Sequence, residues 1–419
     1  MADRRVLTNL DEWPRHQTLD TFNTILSSDP GWSDGYWDCI GDPNGEVNLI
    51  TAIRVYANTN VIDAYAMATT DDGKQYNLRA SRRLRPDIDG ITVGPFGKDI
   101  IDGHRKYRLT CDENPHGISF DILWEGVSPP YDEAPGTRFY ADGRLVVERS
   151  NYIQAGDLSG SLKVGDREWK FDVADGWAGA RDHSWGTGNT GMGDKPNPFG
   201  APPLTGGRRG LRAGMRTWVV ARFQDRLLYY SFLVSPDGTI SSAGTGGQET
   251  GQIHSWIDYR YDSGKEGWSD TGVEVPEMNW VDGWPRLDNM IIHFSRPDGG
   301  VDRFNVKNVS KAVYMQGGGY WGGWDDGLGR GAYRGEEKVE GEIWDVSHPV
   351  IVMDESGKNE VRQRPGGSYA ENYATLTNLD DPSDVGLGIL EAIVVGDEFP
   401  VLNTQGQVLR ADTTSNLVQ

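Results

Sequence analysis

The residues best equipped for chemistry lie in one stretch, Asp175-Gly-Trp-Ala-Gly-Ala-Arg-Asp-His-Ser-Trp-Gly-Thr-Gly188. There a cation, a carboxylate, an imidazole, a hydroxyl and an indole occupy the five positions from Arg181 to Trp185. Laid out as a strand, alternation puts Arg181, His183 and Trp185 on one face and Asp182 and Ser184 on the other. One face then offers a charged anchor, a proton carrier and a flat apolar surface. Histidine is the side chain best suited to proton transfer near neutrality, and a nearby carboxylate fixes its tautomer or raises its pKa. Asp182 points the other way, so orienting His183 takes a twist, a bulge or a different carboxylate. The competing reading is a buried Arg181–Asp182 pair joining two domains, with Trp185 filling the core, because ion-pair networks mimic sites. The catalytic reading requires the His183 ring to point into an enclosed apolar chamber.

A second cluster, Gly317-Gly-Gly-Tyr-Trp-Gly-Gly-Trp-Asp-Asp-Gly-Leu-Gly-Arg330, combines a freely turning backbone with the faces of Tyr320, Trp321 and Trp324. It suits a pocket lining or lid, or else an aromatic loop packed on its own barrel, with Asp325 and Asp326 as solvent-facing turn residues. Downstream, residues 336–345 alternate as a strand with one acidic face. That face is ordinarily wet, but Glu340 or Glu342 turned into a barrel would become a proton donor on burial. His16, His104, His116 and His348 sit in polar or turn contexts and are expected at the surface. His254 and His293 fall in apolar runs and are expected in the core. Gly186-Thr-Gly-Asn-Thr-Gly191 copies a dinucleotide fingerprint but precedes Pro-rich coil rather than a helix, which excludes that site.

The elements that must carry these residues are strands. Runs rich in Val, Ile, Tyr and Thr alternate with tight turns, as in residues 217–234, 46–70 and 144–171, and 55 glycines accompany them. Helical periodicity is confined to residues 19–26 and 385–395. The expected fold class is therefore all-β, as antiparallel barrels or sandwiches. A length of 419 residues favours two domains. The composition break places them at 1–190 and 215–419, around a Gly/Pro-rich linker at 191–214.

The totals exclude several functions. With 62 acidic against 41 basic residues the net charge is −21, which repels nucleic acid and anionic lipid. No apolar stretch is long enough for a helical membrane span, and the N-terminus lacks the apolar core of a secretory signal, so the expected location is cytoplasmic. Cys39 and Cys111 have no partner at metal-ligand spacing and are read as buried thiols, with no metal site.

The segment Gly176 to Gly186, preceded by the strand pair 143–171, resembles the signature of the AttH-like and carotenoid 1,2-hydratase-like superfamily, which includes fungal lipocalin-like Diels-Alderases. The resemblance implies two consecutive lipocalin-like barrels, a deep apolar pocket and cofactor-free work on terpenoid, polyketide or aromatic molecules. Many relatives continue with an arginine after Trp-Gly, where this chain has Thr187-Gly188. The leading expectation is an enzyme, of hydratase or dehydratase, isomerase or cyclase type, acting on a hydrophobic small molecule without a cofactor. In it His183 is the acid/base, Asp182 its electrostatic support or an alternative acid, and Arg181 an anchor. Trp185 is a cation-stabilising wall, and Tyr320, Trp321 and Trp324 line the substrate's path. Two other classes stand beside it. One is a carrier that holds an apolar ligand unchanged. The other is a carbohydrate-active β-sandwich using the 15 Trp and 17 Tyr, although no acid pair stands out for it.

Overall fold

The computed structural model describes residues 7–14, 25, 27–86, 90–133, 137–141, 144–187, 214–234, 240–242, 255–281, 287–320, 324–347, 353–354, 370–395, 400–402 and 408–410. Their regular structure is strand, with three short 3-10 turns. No described helix is long and apolar enough to cross a membrane. The expected linker at 191–214, apart from Gly214, which opens a strand, lies outside the described residues, as do Trp321, His16, His254, His348 and the expected helix 19–26 apart from Ile25.

The first sheet begins with hairpins legible in the sequence. Ser33–Gly41, Val47–Tyr56, Val61–Thr70 and Lys74–Arg83 pair antiparallel in succession. The turns use residues able to adopt positive φ, Asn60 at 60° and Gly73 at 82°. Ser33–Gly41 then pairs on its other edge with Ala178–Thr187, which pairs in turn with the 21-residue strand Arg144–Val164. From there Ile118–Gly126, Lys106–Cys111, Phe96–Asp102 and Thr92–Val93 complete the curl. The sheet bends back on itself: Gly117 and Gly165 lie against the Tyr76 ring, and Gly94 against Ala80 and Val339. Inside it is an apolar core that includes Leu49, Ile62, Leu78, Ile122, Trp124 and Leu158.

The second sheet runs Ser255–Tyr259, Arg226–Val234, Gly214–Arg222, Val385–Val395, Ala370–Asn378, Val301–Asn308, Leu287–Ser295 and Gly272–Trp280, and encloses its own core around Tyr230, Phe232, Phe294 and Phe304. The two-barrel, all-β architecture is thus present. Two details differ from the sequence reading. Residues 385–395 form a strand, not a helix. Glu337–Asp345, though late in the chain, crosses back to pair with Lys74–Arg83 in the first sheet.

A third apolar layer, including Trp37, Ile50, Met67, Ile153, Ala180, Trp218, Val220, Leu227, Tyr373 and Ile389, fills the space between the sheets. Tyr373 lies flat over Gly41, where a Cβ would stand 2.0 Å from its ring, and its hydroxyl donates to the Ala178 carbonyl at 2.8 Å. The strand Ala178–Thr187 is therefore a wall between two interiors.

Candidate active site between the two sheets

Alternation along Ala178–Thr187 holds without a bulge, so its functional side chains are dealt to two rooms. Into the first barrel point Arg181, His183 and Trp185. His183 is fully buried, with Nε2 2.8 Å from Asp34 Oδ1 and Nδ1 3.0 Å from the Tyr152 hydroxyl. Its ring leans on Tyr36, centroids 4.4 Å apart. Asp34, His183 and Tyr152 stand on three adjacent strands, so the imidazole ties those strands together with both nitrogens engaged. Arg181 is held by Gln154 Oε1, 3.1 Å from Nε and 2.6 Å from Nη2, and forms an ion pair with Glu12 from the 3-10 turn Asn9–Glu12. That guanidinium overcomes the burial penalty on Glu12 and lowers its pKa to about 2, with the Lys98 charge assisting. Nearby Lys98 is buried between the Tyr36 and Tyr107 rings, 3.1 Å from Asp38 Oδ2.

Into the other room, between the sheets, point Asp182 and Ser184. They line a cavity of about 80 Å³. Trp37, Tyr65, Trp218 and Tyr320 supply aromatic surface, and Arg54, Arg149, Arg216 and Arg330 face the carboxyls of Asp182, Glu133 and Glu391. Among the described residues, Asp182 Oδ2 accepts only long hydrogen bonds, from Arg149 at 3.4 Å and Asn151 at 3.3 Å, and Oδ1 accepts none of ordinary geometry. Burial raises the Asp182 pKa and the Glu133 charge adds to this, against Arg149, Arg54 and the Ser184 hydroxyl. Glu133 is the opposite kind of carboxylate. It accepts from Trp218 Nε1 at 3.0 Å, from the Tyr229 hydroxyl at 2.7 Å and from Asn151, so its place is fixed. Arg54 is buried, and among the described residues its hydrogen bonds go to neutral acceptors on Ser33, Gly35 and Ser184. Desolvation lowers its pKa. A buried cation so placed attracts an anionic or strongly polar group. The rim lies at Arg216, 27% exposed and paired with Glu391.

The two sequence clusters converge only in part. Tyr320 reaches this cavity, its hydroxyl 3.2 Å from that of Tyr65 and its ring under the Arg330 guanidinium at 3.7 Å. Trp324 does not line it, being buried against Arg334 and Arg79. Arg181, His183 and Trp185 do not line it either, so the chamber that His183 was expected to face is not this one. No Arg181–Asp182 pair forms, since the two side chains leave opposite faces. Glu340 and Glu342 are not barrel-facing acids but partners of Arg79, at 2.8 and 3.1 Å. Asp325 and Asp326 are exposed, as expected, and pair with Lys338 and Arg334. His104, expected at the surface, is buried at φ 63°, and its N–H donates to Glu12 Oε2 at 2.9 Å. His293 is partly buried, 3.8 Å from Glu274.

Arg54, Glu133, Arg149 and Asp34 escaped the sequence reading. Arg54 is the one with a local signal, a lone cation inside the apolar run 47–56.

Comparison with known proteins gives a family profile matching residues 7–401, that of a family of unknown function, DUF8625. No curated protein sequence matches. Among solved structures, the chain is similar to kievitone hydratase from Nectria haematococca, at 11% identity and TM-score 0.45, covering 94% of each chain. It is similar to a protein assigned as AttH from Nitrosomonas europaea, at 12% identity and TM-score 0.45, covering 91% of this chain and 98% of that one. It is also similar to CghA in complex with Sch210972, at 11% identity and TM-score 0.44, covering 87% and 89%.

Proposed function

We propose, for a chain that belongs to the family of unknown function DUF8625, a cofactor-independent enzyme that hydrates, dehydrates, isomerises or cyclises a largely hydrophobic small molecule of terpenoid, polyketide or aromatic type. The reaction centre is the Asp182 side of the inter-sheet cavity. The observation that carries this reading is Asp182 itself: a carboxyl 14% exposed, with a raised pKa and, among the described residues, only long hydrogen bonds, at the wall of a cavity that also presents indole faces and cations.

A carboxyl whose pKa is raised by burial keeps its proton to higher pH than a solvated one, which suits it to act as a general acid. Asp182 gives its proton to an alkene carbon or a carbonyl oxygen of the substrate. The carboxylate left behind is met by Arg149, 3.4 Å away. Positive charge developing on the substrate is stabilised by the faces of Trp37 and Trp218. Addition of water, with its proton passing to the Asp182 carboxylate, completes hydration, and the reverse sequence is dehydration; return of a neighbouring C–H proton to Asp182 completes isomerisation; attack by an internal double bond closes a ring, and loss of a C–H proton from the resulting cation to Asp182 completes cyclisation. Arg54 and Arg330 hold the substrate's polar end, and Glu133 fixes Trp218 through its indole N–H. His183 acts through position, by holding the strand that presents Asp182. A cavity of about 80 Å³ admits water-sized guests, so substrate entry widens the gap at the Arg216 rim.

The test is incubation of the purified chain with a metabolite extract of its source, followed by untargeted mass spectrometry. Turnover should show as loss of one compound and gain of another with the same mass, or with a mass differing by one water. Asp182→Asn should lower the rate by about 10²–10⁴-fold. Equal turnover by Asp182→Asn removes the assignment. A ligand retained unchanged by both proteins identifies a carrier instead.

A further inference from the structure

The first barrel holds a second recognition feature that the proposed reaction does not use and does not depend on. Arg181 is preorganised by groups of the sheet alone. Gln154 Oε1 receives two of its N–H groups. The rings of Trp124, Tyr107 and Tyr152 lie 4.8, 5.1 and 5.1 Å from its guanidinium carbon. Gln154 is itself fixed by its amide N–H groups, which donate to the His104 carbonyl at 2.8 Å and the Ser128 carbonyl at 2.5 Å. His104, at φ 63°, aims its backbone N–H at the same spot. An arginine fork beside a backbone N–H, walled by aromatic rings and fully buried, is a receptor for one carboxylate. The group that fills it does not belong to the sheet. Glu12 arrives on the four-residue turn Asn9–Glu12, whose Leu10 is 72% exposed. The turn's backbone also meets the barrel: the Tyr36 hydroxyl donates to the Glu12 carbonyl, the Tyr152 hydroxyl lies 3.4 Å from the Asp11 carbonyl, and Gly103 lies beneath the Asn9 carbonyl.

We infer that the first barrel carries a carboxylate-binding site built from Arg181, Gln154 and the His104 amide, which the chain occupies with its own Glu12 and which accepts a free aliphatic monocarboxylate when Glu12 is withdrawn. Glu12→Ala removes the carboxylate together with the Cγ methylene, and acetate replaces that fragment closely. Thermal unfolding of full-length Glu12→Ala, in acetate against chloride at matched ionic strength, reads the site directly. Its melting temperature should start below that of the unaltered chain and rise saturably, by about 3–6 °C. The unaltered chain and Glu12→Ala/Arg181→Met should not respond. If Glu12→Ala does not fold in chloride, folded yield after refolding in acetate gives the same reading, and recovery again must require Arg181. No rise and no recovery, or an equal response from all three proteins, overturns the inference.

Discussion

Asp182 and His183 are neighbours in sequence but belong to different rooms, and that single fact redistributes the chemistry of the segment. Strand alternation is a property of the backbone, so the facing of Arg181, His183 and Trp185 against Asp182 and Ser184 was legible from residue types and spacing. Their partners were not. Asp34 is 149 positions from His183, and Glu12 is 169 from Arg181; no local pattern announces such pairs. The same holds for Lys98 and Asp38, whose ammonium and carboxylate are both almost wholly buried, with the Tyr107 hydroxyl also on Asp38. Removing one member of a buried pair strands the other without compensation, at a cost of about 3–5 kcal/mol. Lys98→Met and Asp38→Asn should each lose stability on that scale, and the double substitution should lose clearly less than the two together. Urea unfolding of the four proteins measures the coupling. Additivity within about 0.5 kcal/mol would mean that the pair contributes no specific interaction.

The strand Val385–Val395 shows why one element was misread. Leu387 and Ile389 face the layer between the sheets, while Leu390 and Ala392 face the second barrel's own core. A strand buried on both sides has no polar alternation, and a continuous apolar run is hard to tell from a helix. Gly388 belongs to the strand form: a Cβ there would stand 2.3 Å from the Val220 carbonyl oxygen of the neighbouring strand. Glu337–Asp345 is the other lesson, because its pairing with Lys74–Arg83 reaches back some 260 residues, and only its alternation was visible. It covers an edge and brings Glu340 and Glu342 to the buried Arg79. A fragment ending at residue 190 therefore lacks an edge strand and both carboxylate partners of a buried cation. Exposed edges template aggregation, so the fragment should be insoluble or melt well below the full chain, and co-expression with residues 215–419 should restore it. A monomeric fragment with the full chain's melting temperature would show that this strand is dispensable.

For the molecule as a whole, buried carboxyls of opposite disposition set the dependence of stability on pH. Glu12 is the paired kind, with its pKa brought from 4.5 to about 2. Its contribution is complete above pH 4.5 and is lost as pH falls toward 2, about 3 kcal/mol over the whole window. Asp63 is the desolvated kind. Burial outweighs the Gly331 N–H at 2.6 Å, the Ser81 hydroxyl and the charges of Arg334 and Arg330, and raises its pKa from 3.8 to about 6. The folded state then holds a proton that the unfolded chain has released, so stability declines as pH rises from 3.8 to 6, again by about 3 kcal/mol at most. Asp42, Asp182 and Asp302, also raised by burial, act in the same sense. A net charge of −21 at neutral pH adds self-repulsion in that direction. The lowered carboxyls Asp71, Asp121 and Asp381 oppose it weakly because they are solvated. Melting temperature should therefore peak near pH 4.5–5 rather than at neutrality, measured at low protein concentration because the sequence pI is about 4.7. Asp63→Asn should flatten the decline between pH 4 and 6, and Glu12→Gln should flatten the acid limb below pH 4.5. If the Asp63→Asn curve runs parallel to that of the unaltered chain from pH 4 to 6, Asp63 is not the group that titrates there.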